Sequence, residues 1–165
     1  NAYNVLGAVA CALENGIGYE TIKSAVLSYQ SIFGRAERKV INGHNTLIQL
    51  IKNPTGASEV LKTVDLSSKI LIAINDNYAD GRDISWLWDS DFEQLKDAHK
   101  LIITSGIRAN DMALRLKYAG IPQEKIIIEP NIKKAVDFAT KDGKTTILPS
   151  YTALLKINNE IKESR

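Results

Sequence analysis

Residues 69–93 read KILIAINDNYADGRDISWLWDSDFE, an apolar run that turns abruptly into acids and aromatics. The run 69–74 has the composition of a strand buried on both faces, because parallel strands covered by helices lose the polar alternation of a half-exposed sheet. Asp76, Asp80, Asp83, Asp89 and Asp91 follow it, together with Arg82 and both tryptophans of the chain, Trp86 and Trp88. Open α/β sheets place their chemistry beyond the carboxyl ends of their strands. The stretch therefore marks both a fold class and a candidate site.

Working outward, the downstream pattern is regular. A helix is expected at about 91–98, then strands at 100–104, 125–128 and 144–148, alternating with helices at 108–119, 132–140 and 150–161. Upstream, Asn53-Pro54-Thr55-Gly56 opens a helix to about residue 63. The segments 38–42 and 46–51 flank Gly43-His44-Asn45 as a hairpin. Residues 31–37 read as a turn. Helices are expected at 3–15 and 19–29, broken by Gly16-Ile17-Gly18. Val5, Ala8, Val9 and Ala12 recur at helical spacing and predict a packed face, with Cys11 a buried, inert thiol beside it. The sum is an α/β domain: a Rossmann-like, mostly parallel sheet flanked by helices, with an N-terminal helical pair and a β-hairpin or antiparallel edge strand. Asn75-Asp76, Thr104-Ser105, Glu129-Pro130 and Pro149-Ser150 all follow strands on one edge of that sheet.

Bulk properties narrow the function. The 165 residues suit a single domain spanning 1–165, and 44% hydrophobic with 24% charged residues is an ordinary globular composition. A formal charge of +2 makes no case for nucleic acid or an anionic membrane as the main partner. The one cysteine excludes an internal disulfide and a cysteine-ligated metal site. No apolar run approaches the roughly 20 residues of a membrane span, and no signal peptide is visible. The chain opens Asn1-Ala2-Tyr3-Asn4 without Met, as an excised domain would.

Three segments are chemical candidates. Gly34-Arg35 sets a guanidinium beside a glycine, where it would grip a phosphate bidentately or form a surface ion pair. Lys52-Asn53-Pro54 ends a strand and opens a helix whose free N–H groups favour an anion, or is simply a capped turn; it is no Walker A loop. The acidic loop admits more readings. As a calcium loop it fails, since Tyr78 and Leu87 would fall at ligand positions. Asp76 with Asp80 would suffice for magnesium with several waters. A carboxylate here would also orient a histidine, as in hydrolytic triads. His44, in the hairpin tip, reads as solvated, and His99 as structural. Neither completes a triad, so such a histidine would come from another chain. The plain alternative has Asp80 and Asp83 capping turns, with Arg82 paired to one of them. Trp86 and Trp88 share parity in an extended segment, hence one face, as core or as an interface hot spot. Arg108, Arg115 and Lys117 read as a solvated helix face.

Together these segments resemble the C-terminal domain of the Mur ligase superfamily. The opening Asn1-Ala2-Tyr3-Asn4-Val5-Leu6-Gly7-Ala8-Val9-Ala10 is similar to the family's "FN..NALAA" helix, Gly34-Arg35 to its GR turn, and Lys52-Asn53-Pro54 to the HNP of "D-Y-A-H-N-P". The long match at 75–93, with Pro149-Ser150-Tyr151-Thr152, resembles the MurT-type branch. That resemblance implies a carbon–nitrogen ligase subunit working with a GatD-type glutaminase. GatD would release ammonia from glutamine. ATP and Mg²⁺, bound mainly by a central domain upstream, would activate the α-carboxyl of D-glutamate in the lipid II stem peptide. The setting would be cytoplasmic, at the inner face of the membrane. By motif position Asp83 would complete the partner's Cys-His pair in trans, with Asp80 in reserve. Arg35, Lys52 and Asn53 would reach nucleotide, and Asp76, Tyr78, Arg82, Trp86 and Trp88 would meet the partner. Gln49 and Lys52 depart from the family's Asp and His, which speaks against an ordinary Mur ligase that adds an amino acid. A docking module without a catalytic group is the other alternative.

Overall fold

The structure, a computed structural model, describes residues 2–29 and 33–163. By its contacts the chain divides into two compact units, residues 1–31 and 32–165.

The first unit is a helical pair, α1 (Ala2–Glu14) and α2 (Tyr19–Ser28). Gly16, at φ +75°, ends α1, and the Gly16 and Ile17 amides donate to the Leu13 and Ala12 carbonyls. The packed face expected on α1 is not found: none of its residues is buried, and Val5 and Cys11 are exposed. A two-helix unit offers each helix a single neighbour, too little to cover an apolar stripe. Cys11 is thus not the buried thiol that its surroundings in sequence suggested.

The second unit is a six-stranded sheet in the order β1-β2-β6-β3-β4-β5. Its strands are β1 (Glu37–Ile41), β2 (His44–Ile48), β3 (Lys69–Ala73), β4 (Ile102–Ser105), β5 (Ile126–Ile128) and β6 (Thr145–Pro149). Only β1–β2 is antiparallel. The hairpin turns on Asn42-Gly43, one residue earlier than expected, and both have positive φ, as the twist-matched two-residue turn requires. His44 therefore begins β2, paired with Ile41, and is half-buried. Of the turn expected at 31–37, residues 31 and 32 lie outside the described residues.

Helices α3 (Pro54–Leu61) and α4 (Ala109–Tyr118) accompany one face of the sheet, and α5 (Ile132–Thr140) and α6 (Tyr151–Glu163) the other. Every residue of β3 is buried, and its side chains divide by parity. Ile70 and Ile72 join the α3/α4 core with Leu61, Met112 and Leu116, whereas Leu71 and Ala73 join the α5/α6 core with Ala135, Leu154 and Ile157. Two buried faces explain an apolar run without alternation.

No regular helix forms at 91–98. Short 3₁₀ turns occupy Tyr78–Asp80, Ser85–Leu87 and Phe92–Leu95 instead. Arg115 of α4 donates to the carbonyls of Leu87 and Ser90 just ahead of the 91–98 segment and to Glu93 within it, so contacts across the fold override the local pattern here.

Candidate functional site

The acidic loop leaves β3 at the carboxyl edge of the sheet, where it meets the starts of α4 and α6. Asn75 sits at the junction. Its amide N–H donates to Ser150 Oγ at 3.0 Å, its Nδ2 donates to Thr152 Oγ1 at 3.0 Å, and its Oδ1 accepts from the Ile107 amide at 3.0 Å. Gly106 at φ +86° lets the β4–α4 turn come this close: a Cβ there would stand 2.6 Å from the Ile74 carbonyl oxygen.

The acids of the loop have separate duties. Asp76 is buried and accepts from Arg108 Nη2 at 2.6 Å, a bond that holds its carboxyl below the ordinary value. Asp80 accepts from Thr152 through both oxygens, from the amide at 2.8 Å and the hydroxyl at 2.6 Å, and Oδ2 also accepts from the Asn77 amide at 3.1 Å. Its charge thus lies at the start of α6, where the helix dipole favours an anion. Asp83 differs: it is exposed, with Oδ1 accepting from the Ser85 amide at 2.7 Å and Oδ2 from Ser85 Oγ at 2.9 Å. The amide bond first, then the hydroxyl, lowers its carboxyl, so Asp83 is a fixed, ionised acceptor facing outward. Gly81, at φ +83°, carries the chain from the Asp80 anchor toward it.

Arg82 lies over the Tyr78 ring at 5.4 Å rather than pairing with Asp80 or Asp83, and Tyr78 is 89% exposed. The two tryptophans part company. Trp86 packs against the α3/α4 core, while Trp88 is 51% exposed and meets Tyr118 edge-on at 5.6 Å. Their shared parity required extended backbone, and the 3₁₀ turn at Ser85–Leu87 removes it. Arg115 is likewise no part of a solvated face. At 4% exposure it donates to Leu87 O, Ser90 O and Glu93 Oε2 at 2.8–2.9 Å and lies 5.6 Å from the rings of Trp88 and Phe92.

The nucleotide candidates come together elsewhere on the crest. The Leu50 amide donates to the Gly34 carbonyl at 2.6 Å, bringing the Gly34-Arg35 turn beside the exit of β2 that carries Lys52. Gly34 is buried at φ +69°, and a Cβ there would meet Leu154 of α6 at 2.7 Å. Arg35 and Lys52 are exposed. Asn53 caps α3, its Oδ1 accepting from the Gly56 amide at 2.8 Å. Gln49 is buried, with Nε2 3.4 Å from Thr63 Oγ1. Among the described residues no three His, Cys, Asp or Glu side chains group as a metal site, and no helix is long and apolar enough to cross a membrane.

Sequence reasoning missed Ser85 and Arg115. An Asp-x-Ser spacing is a recognised turn signal and would have pointed to the first; nothing local points to the second.

Solved structures share this architecture. E. coli FolC, in complex with DHPP and ADP, superposes with a TM-score of 0.68 at 15% identity, covering 98% of this chain and 39% of FolC. The UDP-N-acetylmuramate-alanine ligase MurC of Thermotoga maritima gives 0.65 at 11% identity, over 100% of this chain and 38% of that one. A pseudomurein peptide ligase type C from Methanothermus fervidus gives 0.64 at 19%, over 99% and 35%. By fold, the chain shares the architecture of a part of these ligases, between a third and two-fifths of each. Sequence narrows it further: residues 50–154 match the MurT ligase C-terminal family, and the chain belongs to that family. It is 37% identical over 171 residues to the Streptococcus pneumoniae protein named lipid II isoglutaminyl synthase (glutamine-hydrolyzing) subunit MurT, covering 100% of this chain and 38% of the relative. The Staphylococcus aureus (strain COL) protein of the same name is 38% identical over 170 residues, covering 99% and 38%. The chain thus spans well under half the length of these relatives.

Proposed function

We propose that this chain is the C-terminal part of a synthetase subunit that, with a GatD-type glutaminase, amidates the α-carboxyl of D-glutamate in the lipid II stem peptide. Membership of the MurT family supports the reaction class. The observation that carries the site is Asp83: an exposed, ionised carboxylate, oriented by Ser85, in a chain whose two histidines lie elsewhere.

The chemistry follows from that geometry. Asp83 accepts the Nδ1–H of the partner's histidine, fixing its tautomer. The imidazolium formed when the histidine takes the cysteine's proton is then stabilised by the Asp83 charge. A triad completed only across the interface ties ammonia release to assembly. Tyr78, Arg82 and Trp88 form the exposed rim of that contact; Asp76 and Trp86 brace it from within. Asp80 is committed to Thr152 and Asn77, so Asp83 is the preferred acid.

ATP with Mg²⁺ would supply the phosphoryl group that activates the acceptor carboxylate, with an upstream domain holding most of the nucleotide. Arg35 and Lys52, exposed cations on neighbouring turns, fit a contact to its phosphates; Asn53 fits less well, since its oxygen is used as a helix cap. The action would lie on the cytoplasmic side of the membrane that carries the lipid-linked substrate.

The direct test is reconstitution. The full-length protein with its amidotransferase partner, given lipid II, glutamine and MgATP, should yield the D-isoglutamine amide by mass spectrometry. A product lengthened by an amino acid, without need of the partner, would overturn the reading.

A further inference from the structure

Asp83 is rigid relative to Ser85, but something must also hold the loop against the sheet. Downstream, Leu87 is buried and Arg115 grips the 87–93 segment. Upstream, the fastening converges on one side chain. Thr152 Oγ1 accepts from Asn75 Nδ2 at 3.0 Å and Asn77 Nδ2 at 2.8 Å, and donates to Asp80 Oδ2 at 2.6 Å. The Thr152 amide adds a fourth bond, to Asp80 Oδ1 at 2.8 Å. That hydroxyl has one proton and two lone pairs, and all three are used. Asn75 also receives the Ile107 amide, so the same network reaches the β4–α4 turn.

We infer that Thr152 is a positioning residue for Asp83, acting through Asp80 and Asn77. The inference rests on the trans-triad reading above and extends it to α6. Two residues separate Asp80 from Asp83, and the first is Gly81, at positive φ, where an added Cβ would meet nothing within 4 Å. The direction in which the chain leaves Asp80 therefore sets where the Asp83 carboxylate stands. Valine at 152 keeps the branched outline but removes the hydroxyl, leaving two amide groups and a carboxylate oxygen without that partner. Serine keeps the hydroxyl.

The experiment compares glutamine hydrolysis by the full-length protein with its partner for wild type, Thr152→Val, Thr152→Ser, Asp83→Asn and the Thr152→Val/Asp83→Asn double variant. Displacing a catalytic group by about 1 Å costs up to a hundredfold. Thr152→Val should lower kcat by roughly tenfold or more, with KM for glutamine and partner affinity held, and Thr152→Ser should recover most of the loss. In the Asp83→Asn background Thr152→Val should add nothing. A Thr152→Val enzyme that matches wild type, or losses that multiply in the double variant, would overturn this inference alone. Unchanged turnover of Asp83→Asn would overturn the triad reading, and this inference with it.

Discussion

Replacing Arg115 by methionine should destabilise the protein by about 2 kcal/mol, a sizeable share of the 5–15 kcal/mol that holds a typical domain. The figure comes from what the guanidinium leaves behind. Leu87 and Ser90 are both buried, and their carbonyls accept from Arg115 at 2.9 and 2.8 Å. Leu87 O is left without that donor, which costs about 1–3 kcal/mol because water cannot readily replace it, whereas Ser90 O keeps the Phe92 amide at 2.9 Å and loses only a second bond, worth about 1 kcal/mol. Methionine restores part of the packing against Phe92 and Trp88, which offsets about 1 kcal/mol. Glu93 adds a pH signature. Its carboxyl is held below the ordinary value first by the hydrogen bond from Arg115, with burial opposing. A depressed folded-state value contributes stability above the unfolded value of about 4.3 and loses it as pH falls through the folded one. Glu93 is half exposed, so this part is small and screened by solvent. Urea unfolding followed by the fluorescence of Trp86 and Trp88, which flank the site, measures both effects. The variant should also lose part of the wild type's decline below about pH 4. No measurable loss would refute the reasoning, since the orphaned Leu87 carbonyl must cost more than the methionine packing returns.

Three further expectations concern the crest. Trp88→Ala should change stability by under about 1 kcal/mol yet weaken association with the amidotransferase partner at least tenfold, as exposed aromatic anchors do; isothermal titration calorimetry separates the two. Trp86→Ala should do the reverse, costing about 3 kcal/mol by thermal or urea unfolding because its ring packs on the core. Gly106→Ala sets a Cβ 2.6 Å from Ile74 O and 2.7 Å from Asn75 Oδ1 at φ +86°, and should cost about 2 kcal/mol or more and slow glutamine hydrolysis by shifting Asn75.

Some of this was legible in the sequence for identifiable reasons. Residues 69–74 could be read because burial on both faces leaves no polar position, and Ile70/Leu71/Ile72 do divide between two cores. The hairpin was legible, but its turn was placed on Gly43-His44-Asn45 although Asn42-Gly43 carried the stronger signal, two residues that tolerate positive φ. The failures share a cause. Arg115, Trp88 and the 91–98 segment are decided by contacts between α4 and the loop, about 25 residues apart in sequence, and tertiary partners override local pattern. The α1 face failed differently, because helical spacing states which residues would pack together and not whether anything covers them. At the site, the acids could be found as a group. Their division into Asp76 on Arg108, Asp80 on Thr152 and Asp83 outward on Ser85 appeared only with the fold.

The central claim is that this chain lends its partner an acid. Glutaminase turnover of the full-length protein with the partner, wild type against Asp83→Asn, tests it most directly. Asparagine keeps the outline and leaves the complex intact. The claim predicts a fall of roughly a hundredfold or more, on the scale of the 10⁴ lost when the aspartate of a serine-protease triad becomes asparagine. Turnover equal to wild type in an intact complex would contradict it.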